Sequence, residues 1–246
     1  MYCVIPAYNE ARTVASVVEQ AVRFADTVIV VDDGSTDATA AALEGLGASV
    51  IHHAHNAGKG AALSLGMRKA LDCGAGSVVT LDADGQHRAQ DIPLLLAAAR
   101  KHPQRIIVAA RMRGRARAPR LRRFANRFAD FWISWAAGHR IIDSQSGFRL
   151  YPAAAAQAVV SRTGIRHGFV FESEALIEAA WRGFSSAHVE IESIYLANAR
   201  PSHYRAVQDT AHIVRMVATR LLTRGMYPAG LLRSLSVRSK GDIHSS

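Results

Sequence analysis

Two aspartates separated by a single residue are the strongest indication of chemistry in this chain. Asp82 and Asp84 directly follow the apolar run Ser77–Leu81, where a strand should give way to a loop. Side chains two residues apart project to the same side of an extended chain, and two carboxylates facing one point repel unless a cation or a proton relieves them. Oxygen ligands suit a hard divalent ion, Mg²⁺ or Mn²⁺, that shares phosphate oxygens of a substrate. An isolated pair also fits a solvated loop that caps the helix starting near Gln90.

A second polar loop follows the strand-like run Tyr2–Ile5. Pro6 fixes the exit from this run, because its ring restricts the backbone and removes an N–H donor. Tyr8 offers an aromatic face to a nucleobase. Asn9 and Glu10 are compatible with ligand binding and equally with capping of the helix that follows.

A third loop is acidic and follows the β-branched run Thr27–Val31. Gly34 permits a tight turn, and residues 35–37 are explained by helix capping and by the positive end of the next helix. Asp32 and Asp33 lack such an explanation, and we interpret them as acceptors for a ligand.

The fourth loop carries a lysine between two glycines. Lys59 lies at a predicted helix start, where it can contact a phosphate or a carboxylate, although the spacing is not that of a P-loop. Histidines at positions 52, 53 and 55 are nearby, but no acid or cysteine completes a recognised metal spacing.

These loops are predicted to lie at one edge of a sheet. Apolar patterning predicts strands at residues 2–5, 27–31, 49–53, 77–81 and 105–110, and helices at 10–24, 36–46, 59–71 and 91–101. This alternation favours an α/β fold with a mainly parallel sheet flanked by helices. Ligands of such sheets bind beyond the carboxyl ends of the strands, where all four loops fall.

The second half of the chain is predicted to be more helical. Helices are expected at residues 118–137, 153–162, 173–182 and 209–222, with one strand at 188–196. The first of these helices has an aromatic stripe. The last has an apolar face with arginines elsewhere, a pattern that fits a membrane-surface helix and a core helix equally well.

Composition narrows the setting. A net charge of +10 over 246 residues indicates an anionic partner: a nucleic acid, a phosphorylated substrate or an anionic membrane surface. Cys3 and Cys73 have no paired spacing, which favours a reducing compartment. The chain opens almost directly on a strand and has no apolar run of about 20 residues. We therefore expect a cytoplasmic protein with at most peripheral contact at the inner face of the membrane.

The ordered set of loops resembles the family 2 glycosyltransferases of the GT-A fold, and most of all their dolichol-phosphate or polyprenyl-phosphate mannosyltransferase branch. The matching segments are residues 5–10, 31–37, 56–60 and 81–87, within a resemblance that covers about residues 2–200. The resemblance implies a nucleotide-diphosphate-sugar donor. It also implies that a divalent metal, Mg²⁺ or Mn²⁺, binds Asp82 and Asp84 and anchors the diphosphate.

The predicted donor residues combine this resemblance with the loop chemistry. They are Pro6, Tyr8, Glu10, Asp32, Asp33, Lys59, Asp82, Ala83, Gln86, Arg111, Arg117, Arg200 and Ser202. Eight arginines lie between positions 111 and 127, where the family has a flexible loop that closes over the diphosphate. A solvated basic face and a contact with anionic lipid are the alternatives for this stretch.

Two later segments resemble segments of the same branch, and the second of them lies near the acceptor side in that family. The segment Asp143–Arg149 contains a Ser-Gly turn, and Arg149 offers a bidentate donor to a phosphate. An ordinary turn with an internal salt bridge is the alternative. Glu172 lies in the second segment, where it also suits a helix N-terminus. The predicted catalytic residues are Asp84, Asp143, Arg149 and Glu172.

These observations predict an inverting, metal-dependent hexosyltransferase with a polyprenyl-phosphate-type lipid acceptor. A saccharide or lipid hydroxyl acceptor is the alternative, with Asp143 or Glu172 as general base. A non-catalytic nucleic-acid-binding module explains the charge but not the aspartate pairs, so we expect no nucleic acid partner. The oligomeric state stays open.

The predicted organisation has three parts. Residues 1–205 form the GT-A domain with a C-terminal α+β acceptor side, residues 206–235 an amphipathic helical segment, and residues 236–246 a disordered tail.

Overall fold

A computed structural model describes residues 1–113, 120–161, 171–192, 194 and 206–236. Its strands are β1 (Tyr2–Ala7), β2 (Thr27–Asp32), β3 (Ser49–His52), β4 (Ser77–Thr80), β5 (Ile106–Arg113), β6 (Arg149–Pro152) and β7 (Ser186–Glu192). Its helices are α1 (Val14–Ala21), α2 (Thr39–Ala42), α3 (Lys59–Asp72), α4 (Ile92–Lys101), α5 (Arg120–Ala137), α6 (Ala153–Val160), α7 (Phe171–Trp181), α8 (Ala206–Leu222) and α9 (Pro228–Leu235).

All seven strands form one sheet in the order β3-β2-β1-β4-β6-β5-β7. Strands β1 to β4 are mutually parallel, β6 is antiparallel to both β4 and β5, and β5 is parallel to β7. The predicted mainly parallel α/β sheet is confirmed. Because β6 is reversed, its first residue lies at the edge where β1, β2 and β4 end, so the loop before β6 joins the loops that follow those strands.

Alternation along the strands divides the core between the two faces of the sheet. Val4 packs into one apolar cluster, whereas its neighbours Cys3 and Ile5 pack into the other. Val28 and Val30 belong to the second cluster, whereas Ile29 and Val31 belong to the first. A β-branched run without polar interruption is what a strand covered by helices on both faces requires.

Helix α3 lies unusually close to the sheet. A Cβ atom on Gly66 would be 2.4 Å from Cγ1 of Val4, so only glycine allows this approach. The close packing fixes the direction of α3 and places its first residue, Lys59, at the edge where the parallel strands end.

Two predicted helices are shorter in the structure. The first spans Val14–Ala21, within predicted residues 10–24. The second begins at Thr39 instead of residue 36, because Oδ1 of Asn9 accepts hydrogen bonds from the amides of Thr36 and Asp37. This side chain draws the turn toward the loop after β1, an interaction over 27 residues that local patterning does not encode.

Three elements of the second half differ from the prediction. Strand β6 was not predicted, since four residues that end in a proline show no alternation. Helix α9 was not predicted as a separate element, and β7 (Ser186–Glu192) begins two residues before the predicted strand 188–196, of which residues 193, 195 and 196 lie outside the described residues. Each is short, and tertiary packing sets its bounds.

The C-terminal helices α8 and α9 pack against α5. The indole N–H of Trp135 on α5 donates to the carbonyl oxygens of Met226 and Tyr227, at 3.0 and 3.2 Å. Within the described ranges, no helix has the length and apolar character that crossing a membrane demands. The predicted boundaries at 205 and 235 stay predictions, and residues 237–246 of the predicted tail lie outside the described residues.

His139 connects α5 to β7 and predicts an acid-labile fold. The Ser186 amide donates to its Nε2 atom at 3.1 Å, and burial lowers the pKa of His139 from 6.5 to about 4. Between these values the unfolded chain binds the proton more tightly, so stability falls as the pH drops below 6.5. By pH 4 the free energy of unfolding is expected to fall by about 3 kcal/mol for this reason. In His139→Gln, the free energy of unfolding measured by chemical denaturation should therefore change less between pH 6.5 and pH 4. Substitution of the exposed His55 by Gln is the control and should leave the curve unchanged.

Candidate active site

Polar residues from six segments meet at the edge where β1, β2 and β4 end. Three segments follow those strands, two are the N-termini of α3 and α7, and one is the loop 143–148 before the reversed strand β6. Strand β4 ends at Thr80, and the amide of Leu81 extends its pairing by donating to Val4 O at 3.0 Å. Asp82 and Asp84 therefore leave the sheet at its rim, with Ala83 between them buried in the core.

A triad of charges, with Lys59 and Asp82 half-buried and Glu172 buried, forms the centre of this edge. The Nζ atom of Lys59 lies 2.7 Å from Oδ1 of Asp82 and 2.6 Å from Oε1 of Glu172. Lys59 is the first residue of α3, and Glu172 is the second residue of α7. One ammonium group thus ties the loop after β4 to two helices that are far apart in sequence.

Attraction dominates the electrostatics of the triad. Burial alone would lower the pKa of Lys59, but the charges of Asp82 and Glu172 outweigh it and raise that pKa above its usual value. Burial likewise would raise the pKa of Asp82, yet Lys59 and then His87 hold it below its usual range. Lys59 and Asp82 are therefore both charged at neutral pH.

Asp84 has a different environment. Its pKa rises from 3.8 to about 6, first because of burial and next because of repulsion by Asp82. Oδ1 of Asp84 accepts a hydrogen bond from the amide of Gln86 at 2.9 Å, which fixes the turn. Lys59 compensates only part of the repulsion between the Asp82 and Asp84 carboxylates. A second cation beside these two carboxylates would relieve the rest.

The donor set fits a divalent cation that is shared with a ligand. Over the described ranges, no cluster of three or more His, Cys, Asp or Glu side chains could hold a metal alone. Two carboxylates fit Mg²⁺ or Mn²⁺ when water and phosphate oxygens complete the shell. Asp82 and Asp84 are the residues that would hold such an ion.

Gly147 brings the loop before β6 against this pair. A Cβ atom at position 147 would lie 2.5 Å from Oδ2 of Asp82, closer than any ordinary contact. The carbonyl of Gly147 also accepts a hydrogen bond from Thr80 Oγ1 at 2.7 Å. The Ser-Gly turn predicted from the sequence is therefore shaped around the Asp82 carboxylate.

Arg111, at the end of β5, is held by Asp143. The guanidinium Nε and Nη2 atoms donate to the two oxygens of Asp143 at 2.9 and 2.7 Å, and the Arg111 amide donates at 2.8 Å. Burial would raise the pKa of Asp143, but the hydrogen bonds and charge of Arg111 outweigh it and lower that pKa. Asp143 is thus an ionised anchor that positions a cation at the edge.

A further carboxylate, Asp130 on α5, holds the same loop. Its oxygens accept hydrogen bonds from the amides of Asp143 and Ser144 at 3.2 and 2.8 Å, and from Ser144 Oγ at 2.7 Å. Asp143 has a positive φ of 53°, an uncommon conformation that these contacts stabilise. Helix α5 therefore sets the position of Arg111 through the loop.

Arg149 lies beneath the loop with no exposed surface. Its Nη1 and Nη2 atoms donate to the carbonyl oxygens of Glu172 and Ser144, at 2.5 and 2.7 Å. This differs from the predicted phosphate contact, because main-chain carbonyls take up the terminal nitrogens. Arg149 connects the start of α7 to the loop, and in this structure it positions Glu172.

The acidic turn after β2 is also engaged internally. Asp33 accepts hydrogen bonds from the amides of Ala57 and Gly58, at 2.9 and 2.8 Å, and its Oδ1 lies 2.6 Å from Nδ1 of His53. Asp32 accepts from the Ser35 amide at 3.1 Å. Both carboxylates shape the loops beside the site, and their binding of a nucleoside stays a prediction.

The remaining predicted residues divide into two groups. Pro6 is buried at the end of β1, and Tyr8 and Glu10 lie at the same rim, half-buried. The residues that fall outside the described part of the chain are Arg117, Arg200 and Ser202.

Sequence reasoning missed two polar residues that the structure places in or beside the candidate site. Asp130 was overlooked because the helix 118–137 was interpreted from its aromatic stripe alone. A single acidic residue among those aromatic residues was the available indication. His87 is buried between Asp82 and Phe148, and burial lowers its pKa from 6.5 to about 4. Its position shortly after the aspartate pair was the only indication.

Comparison with known proteins assigns a family to this geometry. The family model described as glycosyl transferase family 2 matches residues 2–162. A UDP-N-acetylglucosamine–dolichyl-phosphate N-acetylglucosaminyltransferase of Methanococcus voltae is 29% identical over 216 residues, covering 79% of this chain and 86% of the relative. An undecaprenyl-phosphate mannosyltransferase of Micrococcus luteus is 29% identical over 204 residues, covering 76% of this chain and 81% of the relative.

Solved structures share the fold. Glucosyl-3-phosphoglycerate synthase from Mycobacterium tuberculosis, in complex with Mn²⁺, UDP and phosphoglyceric acid, has a TM-score of 0.65 at 22% identity. The match covers 92% of this chain and 78% of that structure.

The family match and the relatives identify a glycosyltransferase that uses a nucleotide-sugar donor, and the sheet has the GT-A fold. The chain belongs to glycosyl transferase family 2, and its relatives place it with the dolichyl- and polyprenyl-phosphate branch.

Gly147→Ala tests whether the loop before β6 shapes the donor site. The new methyl group displaces the Asp82 carboxylate, so we expect nucleotide-sugar binding in the presence of Mn²⁺ to weaken about tenfold or more by calorimetry. Gly76→Ala is the matched control, because nothing lies within 4 Å of a Cβ there. Equal affinity in the two variants would contradict the close contact.

Proposed function

We propose that this enzyme transfers a sugar, with inversion, from a nucleotide-diphosphate-sugar to a polyprenyl-phosphate-type lipid acceptor, with Mg²⁺ or Mn²⁺ as cofactor. The observation that carries the proposal is the arrangement at the sheet edge. There Asp82 lies against the loop whose Asp143 binds Arg111, Asp84 follows in the same turn, and Lys59 bridges Asp82 and Glu172. Such an edge combines a cation site with fixed positive charge, which is what a departing diphosphate needs.

The chain's own residues supply binding and orientation. Asp82 and Asp84 would hold the metal, which when bound neutralises charge on the leaving nucleoside diphosphate. Lys59 carries a fixed positive charge next to Asp82, and Asp143 holds Arg111 in one orientation. Both cations are set in place before the donor arrives, so little reorganisation accompanies the reaction.

The state of the carboxylates favours a phosphate acceptor. A hydroxyl acceptor requires a general base, but both oxygens of Asp143 bind Arg111 and its pKa is lowered. Glu172 contacts Lys59 and lies 4% exposed. A lipid phosphate needs no strong base, because a phosphate monoester with a second pKa of about 6 is already charged at neutral pH.

The relatives support the same acceptor class. Proteins from a methanogen and from Micrococcus luteus are named for dolichyl-phosphate and undecaprenyl-phosphate substrates. A polyprenol monophosphomannose synthase of Mycolicibacterium smegmatis is 28% identical over 198 residues, covering 76% of this chain and 75% of the relative.

Asp84→Asn tests the metal-binding role. The substitution keeps the size of the side chain and removes the charge, so Mn²⁺-dependent binding of the nucleotide-sugar should fall about tenfold or more in calorimetry. Asp72→Asn, at the exposed end of α3, is the matched control and should bind as the unmodified protein does. Unchanged metal-dependent binding of the nucleotide-sugar by Asp84→Asn would contradict the proposal that Asp84 binds the metal.

An acceptor panel tests the reaction. UDP- and GDP-sugars are incubated with Mn²⁺ and with polyprenyl phosphate, polyprenol or a saccharide, and the glycosylated product is quantified by mass spectrometry. We expect a glycosyl phosphate product from polyprenyl phosphate, and transfer to polyprenol at least about a hundredfold slower, since general base catalysis contributes about 10²–10⁴-fold. Comparable transfer to the alcohol, or to a saccharide, would exclude the proposed acceptor.

A further inference from the structure

Glu172 has one carboxylate oxygen that the ion pairs of the site do not use. Its Oε1 atom lies 2.6 Å from Nζ of Lys59, whereas Oε2 is buried and accepts no hydrogen bond from the part of the chain that the structure describes. Glu172 as a whole is only 4% exposed. A buried carboxylate oxygen without a donor is energetically costly, which indicates that a donor reaches Oε2 when the site changes its contacts.

The main chain beside both acidic partners of Lys59 is held in place. Nη1 of Arg149 donates to the carbonyl oxygen of Glu172 at 2.5 Å. On the other side, a Cβ atom on Gly147 would lie 2.5 and 2.8 Å from the two oxygens of Asp82, so the carboxylate has main chain packed against it. The side chain of Lys59, which spans the space between the two acids, is therefore the part that is able to move.

Lys59 is able to change partners without a movement of the main chain. Its ammonium group has three donors and lies at the end of a flexible side chain of four methylene groups. One donor is directed at Oδ1 of Asp82, where Nζ lies at 2.7 Å, and another at Oε1 of Glu172. A shift from Asp82 to Oε2 of Glu172 would keep the ammonium group paired and would give that oxygen its donor.

The ammonium group and a divalent cation need the same carboxylate. Asp82 and Asp84 are the residues that would hold the metal, and Oδ1 of Asp82 is in contact with Lys59. Two cations on one carboxylate repel each other, so the ammonium group has to leave Asp82 when a metal binds there. Phosphate oxygens that complete the metal shell favour this exchange, because they add ligands that the two aspartates do not supply.

We propose that Lys59 is an internal counter-ion of Asp82, and that Glu172 takes over its ammonium group when the metal and the donor diphosphate bind together. Glu172 is then a positioning residue and not a general base. The exchange belongs to donor binding and precedes sugar transfer, and it makes the metal and the diphosphate bind cooperatively. The inference rests on the proposed function for the metal that Asp82 and Asp84 bind.

Mn²⁺ binding without nucleotide tests the competition. Free Mn²⁺ is measured by electron paramagnetic resonance in titrations of the unmodified protein and of Lys59→Met/Glu172→Gln, which has the same net charge. We expect the double variant to bind Mn²⁺ at least about tenfold more tightly, because no ammonium group has to leave Asp82. Equal or weaker binding by the folded double variant would overturn the proposal.

A single variant tests the part that Glu172 plays. Glu172→Gln should weaken Mn²⁺ binding about tenfold, since the displaced ammonium group loses the carboxylate that receives it. Glu174→Gln makes the same change two residues further along α7, where the carboxylate contacts Arg220, and is the matched control. Lys69→Met, on the exposed side of α3, is the control for the loss of a lysine. Unchanged Mn²⁺ affinity in Glu172→Gln, or an equal loss in Glu174→Gln, would contradict the role of Glu172.

NMR of the lysine ammonium groups follows the exchange in the unmodified protein, so this measurement does not depend on the folding of a variant. The sequence has four lysines, at positions 59, 69, 101 and 240, so ¹⁵N-labelled lysine gives few signals. We expect Mg²⁺ and UDP together to shift the Lys59 signal and to leave the Lys69 signal in place. A Lys59 signal that stays in place when Mg²⁺ and UDP are both bound would refute the exchange.

Asp84→Asn keeps this inference separate from the proposed function. If Asp84→Asn loses Mn²⁺ binding while Lys59→Met/Glu172→Gln gains none, the metal site stands and the counter-ion role is refuted. If Asp84→Asn binds Mn²⁺ as the unmodified protein does, the metal site of the proposed function fails. A gain of Mn²⁺ affinity in the double variant, together with no transfer to polyprenyl phosphate by the unmodified protein, would support the counter-ion role and refute the acceptor alone.

Discussion

The bridge that Lys59 makes between Asp82 and Glu172 is the interaction on which the site depends. Three segments contribute to it: the loop after β4, the start of α3 and the start of α7. A buried carboxylate without a partner is destabilising by several kcal/mol, so removal of the ammonium group would leave two acids uncompensated. The close approach of α3 to the sheet at Gly66 is what puts Lys59 within reach of both. Packing of the core thus fixes the electrostatics of the edge.

The reversed strand β6 supplies a second constraint. An all-parallel sheet would send the chain away from the edge at this point, whereas the antiparallel β6 starts there and presents the loop 143–148 to Asp82. Gly147 allows main chain to touch the carboxylate, and Asp143 then orients Arg111. Arg149 and Asp130 hold the loop from beneath and from α5. Most polar groups of the site therefore bind one another, which keeps a charged edge rigid before any ligand arrives.

Sequence patterns predicted the features that local chemistry determines. The run Thr27–Val31 is apolar throughout because helices cover both faces of the sheet, and strand ends gather polar loops at one edge because the strands are parallel. Long-range contacts were beyond such patterns. Asn9 shortens α2 from 27 residues away, and main-chain carbonyls bury the guanidinium of Arg149, which the sequence had suggested for a phosphate. A sequence motif shows which residue types are present. Whether a side chain such as Arg149 can reach a ligand depends on how closely distant segments pack around it.

Helix α5 links the C-terminal helices to the candidate active site. Helices α8 and α9 pack against α5, and the indole N–H of Trp135 donates to the carbonyl oxygens of Met226 and Tyr227. Five residues earlier on the same helix, Asp130 accepts hydrogen bonds from the amides of Asp143 and Ser144. Because both oxygens of Asp143 bind the guanidinium of Arg111, the orientation of this cation depends on the helix on which the C-terminal helices pack. This explains why a helix with an aromatic face also carries an acid.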